Sequence, residues 1–379
     1  DMAKLQIEKP ELTPFATEHI DEMVELVSKL EEKGHTYQSN GSTYYRISTF
    51  PAYGKLSRVD LSESQGTDPT DADEYTKENP RDFVLWKATK EEGEASWETP
   101  LGTGRPGWHL ECSTMSMKYL GESFDIHCGG VDLIFPHHEN EIAQSEGVTG
   151  KPFVRHWVHI KHLIVEGEKM SKSLGNTITV HQLLDEGLGP AAIRHQLLGA
   201  QYRRELNFTR EGLAASAAAV QRLLDFEARL AETKGVDDGG NGGGSTGPLA
   251  RLADEAIEAF REAFDDDLNS AEALAALFVF VNRVNGELDG SSSVAERDLE
   301  AARNALASLD EVMGLLSVAR ENLKVDDDTE VWITSLINER EVARADRDFA
   351  RADAIRDELG ERGIVLEDSA GGTRWKRVR

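Results

Sequence analysis

Residues 169–176 read Lys-Met-Ser-Lys-Ser-Leu-Gly-Asn and place two lysines and two serines in one short loop ahead of a predicted helix. Ammonium groups offset phosphate charge, and hydroxyl groups orient phosphate oxygens. Lys169, Ser171, Lys172 and Ser173 are therefore candidates for binding a triphosphate. The alternative is an ordinary solvated turn, because lysine and serine are common on any protein surface.

Upstream of this loop, Cys112, His137 and Glu141 have the spacing of a metal site. A histidine and a glutamate four residues apart lie on one helix face, where both can reach a single ion. Three such ligands suit zinc and leave one position for a fourth ligand or a substrate. His138 points to another side of the helix, and Cys128 is as readily a small buried side chain, so we leave both outside the predicted set. A solvated polar pair beside a packed cysteine is the alternative to any metal site.

The segments around these motifs predict an α/β protein in its first part. Residues 124–127 and 154–160 have the pattern of short buried strands, and 136–146 that of a helix begun near a proline. Strands that alternate with helices predict part of a parallel sheet. Residues 1–100 mix one helix with short strand-like runs, which predicts a small α+β unit.

After residue 180 the pattern turns helical, with apolar residues at helical spacing. The stretch 235–247 is almost free of apolar residues and predicts a flexible loop. We predict five regions, in chain order: the α+β unit (1–100), an α/β segment with the candidate metal site (101–160), the lysine-serine loop region (161–195), a helical bundle (196–325) and a small C-terminal module (326–379).

Composition limits the class of protein. The 379 residues are enough for two or three domains, and two cysteines cannot form a disulfide framework. No segment has the apolar length of a membrane span, so we expect a cytoplasmic protein. The net charge of −27 argues against nucleic acid as a partner, but local basic patches on an acidic body are compatible with RNA binding.

The loop 169–173 resembles the signature loop of class I aminoacyl-tRNA synthetases, and other strings resemble the cysteine-specific family of that class. The strings lie in four places: Gly-Arg-Pro-Gly-Trp-His-Leu-Glu-Cys-Ser (104–113), Phe-Asp-Ile-His (124–127), Phe-Pro-His-His-Glu-Asn-Glu-Ile-Ala-Gln-Ser (135–145), and the ending at 363–368 with 372–375. Together they run over essentially the whole chain.

The resemblance implies an incomplete Rossmann-like class I catalytic domain with an α+β connective insertion, then an all-α bundle and an anticodon-binding module. It also implies one zinc ion held by two cysteines, a histidine and a glutamate, of which Cys112, His137 and Glu141 supply three. The fourth ligand and a His-Ile-Gly-His motif belong to a preceding segment that this chain does not contain. We therefore expect the chain as given to be incomplete for catalysis. Cys128 stands where the family commonly has glycine.

The implied activity is cysteine–tRNA ligation. L-cysteine would react with ATP and Mg²⁺ to give cysteinyl-adenylate, and the acyl group would pass to tRNA(Cys). The resemblance assigns Lys172 to the ATP phosphates, with Lys169, Ser171 and Ser173 shaping the loop. It places Trp108 and His127 in the cysteine pocket, although a buried aromatic and a satisfied core histidine are the simpler interpretations.

Five basic residues and one tryptophan near the C-terminus are the predicted tRNA contacts, and we expect a monomer. They are Arg340, Arg344, Arg351, Arg374, Trp375 and Lys376. Interleaved acidic residues make an ordinary salt-bridged helix the alternative. Two rival functions remain: a cysteine:amino-sugar ligase, disfavoured by the long helical region, and a non-catalytic zinc- and tRNA-binding protein.

Overall fold

The computed structural model describes residues 1–59, 77–90, 93–236, 247–323, 327–369 and 372–377. These residues divide into two compact units, one spanning Pro10–His162 and the other comprising Asp1–Lys9 with Leu163–Arg379. The predicted regions 1–100 and 101–160 thus fall almost entirely in one unit. Most of the predicted flexible loop, 237–246, lies outside the described residues. Of the helices that are described, none combines the length and apolarity needed to cross a bilayer.

The unit Pro10–His162 begins with a helix and an antiparallel sheet. Its elements are α1 (Ile20–Glu32), β1 (Thr36–Ser39), β2 (Ser42–Tyr45), β3 (Phe83–Ala88), β4 (Trp97–Thr99) and β5 (Gly102–Pro106). Helix α1 turns Met23, Val27 and Leu30 inward at helical spacing, and they pack in one core with Trp86 of the sheet. The sheet order is β1-β2-β3-β5-β4 with antiparallel neighbours, which the sequence did not predict.

The second half of this unit carries the metal-site residues. It contains α2 (Trp108–Leu120), β6 (Phe124–Gly130), an irregular turn (Ile134–His138), α3 (Glu139–Thr149) and β7 (Val154–Ile160). Strands β6 and β7 pair in parallel, which confirms the predicted βαβ character of this segment.

Two contacts fix the helices that bear those residues. Gly107 precedes α2 where a Cβ atom would lie 2.4 Å from the carbonyl oxygen of Val84, so only glycine lets the chain pass β3 closely. At the start of α3, the buried carboxylate of Glu139 accepts backbone hydrogen bonds from Gly54, Leu56 and Ser57. Both helices are therefore held from their first turns.

The second unit opens on a small sheet and two short helices. They are β8 (Leu163–Val165), β9 (Glu168–Lys169), α4 (Val180–Asp185), α5 (Pro190–Leu198) and β10 (Leu206–Phe208), with sheet order β10-β8-β9. Thr179 caps α4 through its side chain and exchanges hydrogen bonds with Gln182 in a capping box. This cap defines where the lysine-serine loop ends and the helix begins.

The remaining helices form a bundle and a terminal module, as the sequence predicts. The bundle consists of α6 (Arg210–Glu232), α7 (Pro248–Asp265), α8 (Ser270–Gly290), α9 (Glu296–Met313) and α10 (Leu315–Leu323). The module consists of α11 (Asp327–Ala345), α12 (Phe349–Glu361) and the hairpin β11 (Ile364–Ser369) with β12 (Gly372–Arg377). The bundle core includes Phe226, Leu277, Phe280 and Leu309, and the module has a separate core around Ile333 and Ile355.

Neighbouring residues of α8 provide a test of the bundle core. Phe280 is 2% exposed and packs against Phe226, whereas Val279 is 53% exposed. We expect Phe280→Ala to lower the free energy of unfolding of the bundle by about 3–5 kcal/mol, because it leaves a cavity. Val279→Ala, the matched control, should change it by no more than about 0.5 kcal/mol. Urea denaturation followed by circular dichroism measures both, and equal effects would contradict the assigned orientation of α8.

Candidate metal and nucleotide sites

Three predicted ligands come together in the unit Pro10–His162. Cys112 lies on α2, His137 in the irregular turn and Glu141 on the first turn of α3, and their ligand atoms all lie within 4.8 Å of one another. The i,i+4 relation places His137 Nε2 2.9 Å from Glu141 Oε1. The sequence spacing therefore corresponds to one spatial cluster.

Glu141 is the most constrained member of this cluster. Its side chain is fully buried, and neither carboxylate oxygen has a hydrogen bond of acceptable geometry. Burial alone would raise the pKa of this carboxyl, but the adjacent imidazoles of His127 and His137 lower it to about 2. A buried carboxylate close to imidazole nitrogens without hydrogen-bond alignment is the arrangement expected of ligands that face a common cation.

Cys112 is partly buried, and its environment favours the neutral thiol when no metal is bound. Burial, followed by the charges of Glu141 and Glu111, raises the pKa of the thiol to about 12. A bound cation reverses this balance, since coordination deprotonates a thiol. One sulfur, one imidazole nitrogen and one carboxylate oxygen are the donor types that zinc takes, so the residues present fit this metal.

His137 is oriented by its neighbours in α2. The Nδ1 atoms of His109 and His137 lie 2.6 Å apart, which leaves His137 Nε2 directed at Glu141. Such a partner on the second ring nitrogen fixes both tautomer and ring orientation. Sequence reasoning missed His109, although its position three residues before Cys112 places it on the same face of α2.

The two residues predicted to line a cysteine pocket lie beside this cluster. The exposed ring of Trp108 lies 4.2 Å, centroid to centroid, from the ring of His137, with an angle of 34° between the two planes. His127 Nε2 is 3.5 Å from Glu141 Oε2. Of the two alternative ligands, His138 groups with His127 and Glu141 rather than with Cys112, and Cys128 is exposed and joins neither group.

In the other unit, the lysine-serine loop is closed by a side chain. Asn176 accepts a hydrogen bond from the backbone N–H of Ser171 at 2.8 Å and donates one to the carbonyl oxygen of Lys169 at 3.1 Å. Ser171 Oγ accepts from the N–H of Leu174 and lies 3.2 Å from Ser173 Oγ. The sequence predicted the lysines and serines but assigned no role to Asn176, which is the residue that holds the loop together.

Both lysines of the loop are exposed and available. Lys169 ends β9, and Lys172 begins the turn that Gly175 completes at a φ of +65°, a conformation that favours glycine. Within the part of the chain that is described, no carboxylate forms an ion pair with either ammonium group. Two unpaired cations on a fixed loop can bind a polyanion such as a triphosphate.

The structure separates the predicted RNA-contacting residues. Arg340 is only 5% exposed and donates to Thr373 Oγ1, so it serves the fold of the module. Arg351 is exposed but paired with Glu339. Trp375 packs partly against the core of the module, and Arg344 is exposed. The side chains of Arg374 and Lys376 lie outside the described part.

Family models and known proteins agree on what the chain resembles. Residues 1–218 match the model of the tRNA synthetases class I (C) catalytic domain, 259–317 match the DALR domain, and 327–375 match the cysteinyl-tRNA ligase anticodon binding domain. The chain is 46% identical over 377 residues to the cysteine–tRNA ligase of Solibacter usitatus (strain Ellin6076), covering 100% of this chain and 78% of that protein. It is 45% identical over 403 residues to that of Koribacter versatilis (strain Ellin345), covering 100% and 80%.

A solved structure agrees at the level of the fold. Methionyl-tRNA synthetase of Mycobacterium tuberculosis, in complex with methionyl-adenylate, superposes with a TM-score of 0.54 at 18% identity, covering 83% of this chain and 74% of that one. With a class I catalytic model over its first 218 residues and relatives at 45–46% identity along its whole length, the chain belongs to the cysteine–tRNA ligase family of class I aminoacyl-tRNA synthetases.

Proposed function

We propose that the protein activates L-cysteine with ATP and Mg²⁺ and transfers it to tRNA(Cys). The observation that carries this proposal is the cluster of Cys112, His137 and Glu141. The carboxylate of Glu141 in this cluster is buried and has no hydrogen bond of acceptable geometry. An apolar pocket discriminates cysteine from serine poorly, since near-isosteres differ by only about 1–3 kcal/mol in such a site. A thiophilic metal would supply the missing discrimination.

Each residue of the proposed metal site would have its own role. Cys112, His137 and Glu141 would hold one zinc ion, with His109 fixing the ring of His137 through their Nδ1 atoms. Zinc bound there would supply a Lewis acid that accepts the thiolate of L-cysteine far better than the hydroxyl of serine. Trp108 would cover the amino-acid pocket beside His137, as the position of its ring suggests.

The loop 169–176 would bind the phosphates of ATP. Lys172 and Lys169 offset the charge that develops as the carboxylate of cysteine displaces pyrophosphate from the α-phosphorus. Asn176 and Ser171 keep the loop in one conformation through the hydrogen bonds described above, so the lysines need little ordering when ATP binds. Positioning of this kind supplies a large part of catalysis in phosphoryl chemistry.

The C-terminal module would contact tRNA. Its match to an anticodon-binding domain and the exposed Arg344 favour an RNA acceptor over the amino-sugar of the rival ligase. Arg351, Arg374, Trp375 and Lys376 remain proposed contacts, whereas the burial of Arg340 removes it from the set. A monomeric, cytoplasmic protein is part of the same proposal.

The metal site is tested by removing its thiolate. We expect Cys112→Ser to lower the affinity for the most tightly bound zinc ion by more than about 100-fold. Loss of a residue that only supports a metal ligand already lowers metal affinity by about 10–100-fold. Cys128→Ser, which changes the exposed cysteine outside the cluster, is the control and should leave zinc affinity unchanged. Competition with a chromophoric chelator measures both affinities. Equal zinc affinity in the two variants would refute the ligand assignment.

The phosphate role of Lys172 is tested in the protein that includes the expected preceding segment. The assay is cysteine-dependent exchange of pyrophosphate with ATP. We expect Lys172→Met to lower kcat/KM by about 10²–10³-fold, the usual cost of removing one group that stabilises developing charge. Lys29→Met removes an exposed lysine on α1 that pairs with Glu25, and it should have no effect. A change of less than threefold in Lys172→Met, roughly 0.6 kcal/mol, would remove this lysine from the mechanism.

Closure of the loop by Asn176 makes a separate prediction. We expect Asn176→Ala to raise the KM for ATP about tenfold with a smaller change in kcat, since two hydrogen bonds of about 0.5–1.5 kcal/mol each order the loop before ATP binds. Asn176→Asp keeps the acceptor for Ser171 but loses the donor to Lys169, so its KM should be intermediate. Thr177→Ala, at the exposed neighbouring position, is the control, and an Asn176→Ala protein with wild-type KM would contradict the assignment.

A further inference from the structure

The corner between α7 and α8 has a backbone conformation that side chains rarely adopt. Asp267 and Leu268 lie between the two helices, and each has a φ of +56°. An aspartate tolerates this left-handed region better than a leucine, for which it is strained. Leu268 is 53% exposed, so burial in the bundle core does not hold it there. Strained backbone of this kind persists where surrounding contacts keep it in place.

Such contacts come from residues 201–203, in the segment between α5 and β10. The carboxylate of Asp267 accepts a hydrogen bond from Tyr202 Oη at 2.7 Å and a forked pair from the guanidinium of Arg203. The backbone carbonyl oxygen of Asp267 accepts another from Gln201 Nε2 at 3.2 Å. Hydrogen bonds between charged groups are the stronger ones, and a fork also fixes direction. One exposed aspartate is thus held by three consecutive residues of another segment.

The segment 201–203 leads directly to the support of the lysine-serine loop. It is followed by β10, where Asn207 Oδ1 accepts a hydrogen bond from the backbone N–H of Gly167 at 2.9 Å. Gly167 lies in the turn between β8 and β9, and β9 ends at Lys169, the first residue of the loop. Hydrogen bonds and short chain segments therefore connect the α7–α8 corner to the proposed phosphate-binding loop.

The bundle has a second anchor next to the first. Arg194 on α5 donates from Nε to the carbonyl oxygen of Met313, the last residue of α9, at 2.6 Å. One anchor leaves rotation about it free, whereas two anchors at different corners of the bundle fix its orientation. Helices α7, α8 and α9 share one core, so an orientation set by Asp267 extends to α9 and, through α10, to the C-terminal module.

We propose that Asp267 is a positioning residue for the transfer of cysteine to tRNA(Cys), because it fixes the bundle relative to the lysine-serine loop. This inference rests on the proposed function. Activation of cysteine takes place at the metal site and the loop, and it does not need a fixed bundle. Transfer does, because the module that would contact tRNA is joined to the bundle. An exposed ion pair adds little to the stability of a fold, so the contribution of Asp267 is orientation.

The test compares the two steps in the protein that includes the expected preceding segment. Cysteine-dependent exchange of pyrophosphate with ATP reports activation, and aminoacylation of tRNA(Cys) reports both steps. We expect Asp267→Ala to raise the KM for tRNA(Cys) about tenfold, within the range for a residue that couples two sites without touching either ligand. Its exchange activity should stay within about twofold of the wild type, because activation is not affected.

Three further variants separate this role from a change of charge. Asp265→Ala makes the same substitution at the exposed last residue of α7 and should leave both assays unchanged. Asp267→Asn keeps an acceptor for Tyr202 and tolerates the left-handed backbone, so its KM should be intermediate. Tyr202→Phe removes only the hydroxyl, and its effect should not add to that of Asp267→Ala, since both remove one contact.

Amide hydrogen exchange tests the contact itself without any activity. The amides of Leu268 and Asn269 donate to carbonyl oxygens of α7, so they report opening of the corner. We expect them to exchange about tenfold faster in Asp267→Ala than in Asp265→Ala, while amides in the middle of α8 keep their protection. Circular dichroism shows that each variant is folded.

The inference and the proposed function fail in different ways. An Asp267→Ala protein with the wild-type KM for tRNA(Cys) would overturn the inference. Equal losses in exchange and aminoacylation would also overturn it, since they indicate general damage rather than positioning. A wild-type protein without cysteine-dependent exchange would instead show that the proposed function is wrong, and the role of Asp267 would fall with it.

Discussion

The buried carboxylate of Glu141 is the constraint around which the first unit is organised. Removing a charged carboxylate from water costs several kcal/mol unless opposite charge or hydrogen bonds compensate it. Here the imidazoles of His127 and His137 approach the two oxygens at 3.5 and 2.9 Å, and neither oxygen has a hydrogen bond of acceptable geometry. A cation bound to this group would compensate the charge of the carboxylate more fully, which is consistent with the proposed zinc site.

The neighbouring elements serve to hold that carboxylate and its partners in place. Tyr45 Oη donates to the carbonyl oxygen of Ala143 at 2.9 Å, and Tyr53 Oη donates to the side chain of Asn140. Strand β2 and the turn at 51–57 therefore both contact α3. Glu139 adds its backbone hydrogen bonds two residues before Glu141. Because these contacts lie within about one turn of α3, β2 and the turn at 51–57 fix the helix that carries Glu141. The connective part of the chain thus helps to hold the proposed zinc ligands in place.

Sequence patterns predicted the residues that act locally and missed those that act across the fold. The His137–Glu141 pair was readable because helical periodicity alone places i and i+4 together. Cys112 was joined to that pair from residue type and spacing, and the family resemblance gave the same set; its approach to the pair depends on the packing of α2 on α3, for which no periodic signal exists. Three further features depend on tertiary contacts. They are the grouping of His138 with His127, the order of the antiparallel sheet, and the contact of His109 with His137. Arg340 was misjudged for the same reason, since a basic residue on an amphipathic helix gives no sign that it is buried until its neighbours are known.

The acidic composition is compatible with two polyanionic substrates because charge acts locally. Interactions between exposed charges are screened over about 8–10 Å at moderate ionic strength, so most of the −27 net charge does not reach a given binding site. Many described arginines outside the lysine-serine loop are neutralised by a carboxylate, as in the pairs Arg210–Glu186 and Arg320–Glu227. Lys169 and Lys172 have no such partner among the described residues, and the side chain of Asn176 holds the segment between them. The proposed phosphate binding at that loop therefore depends on its own two ammonium groups rather than on the net charge of the chain.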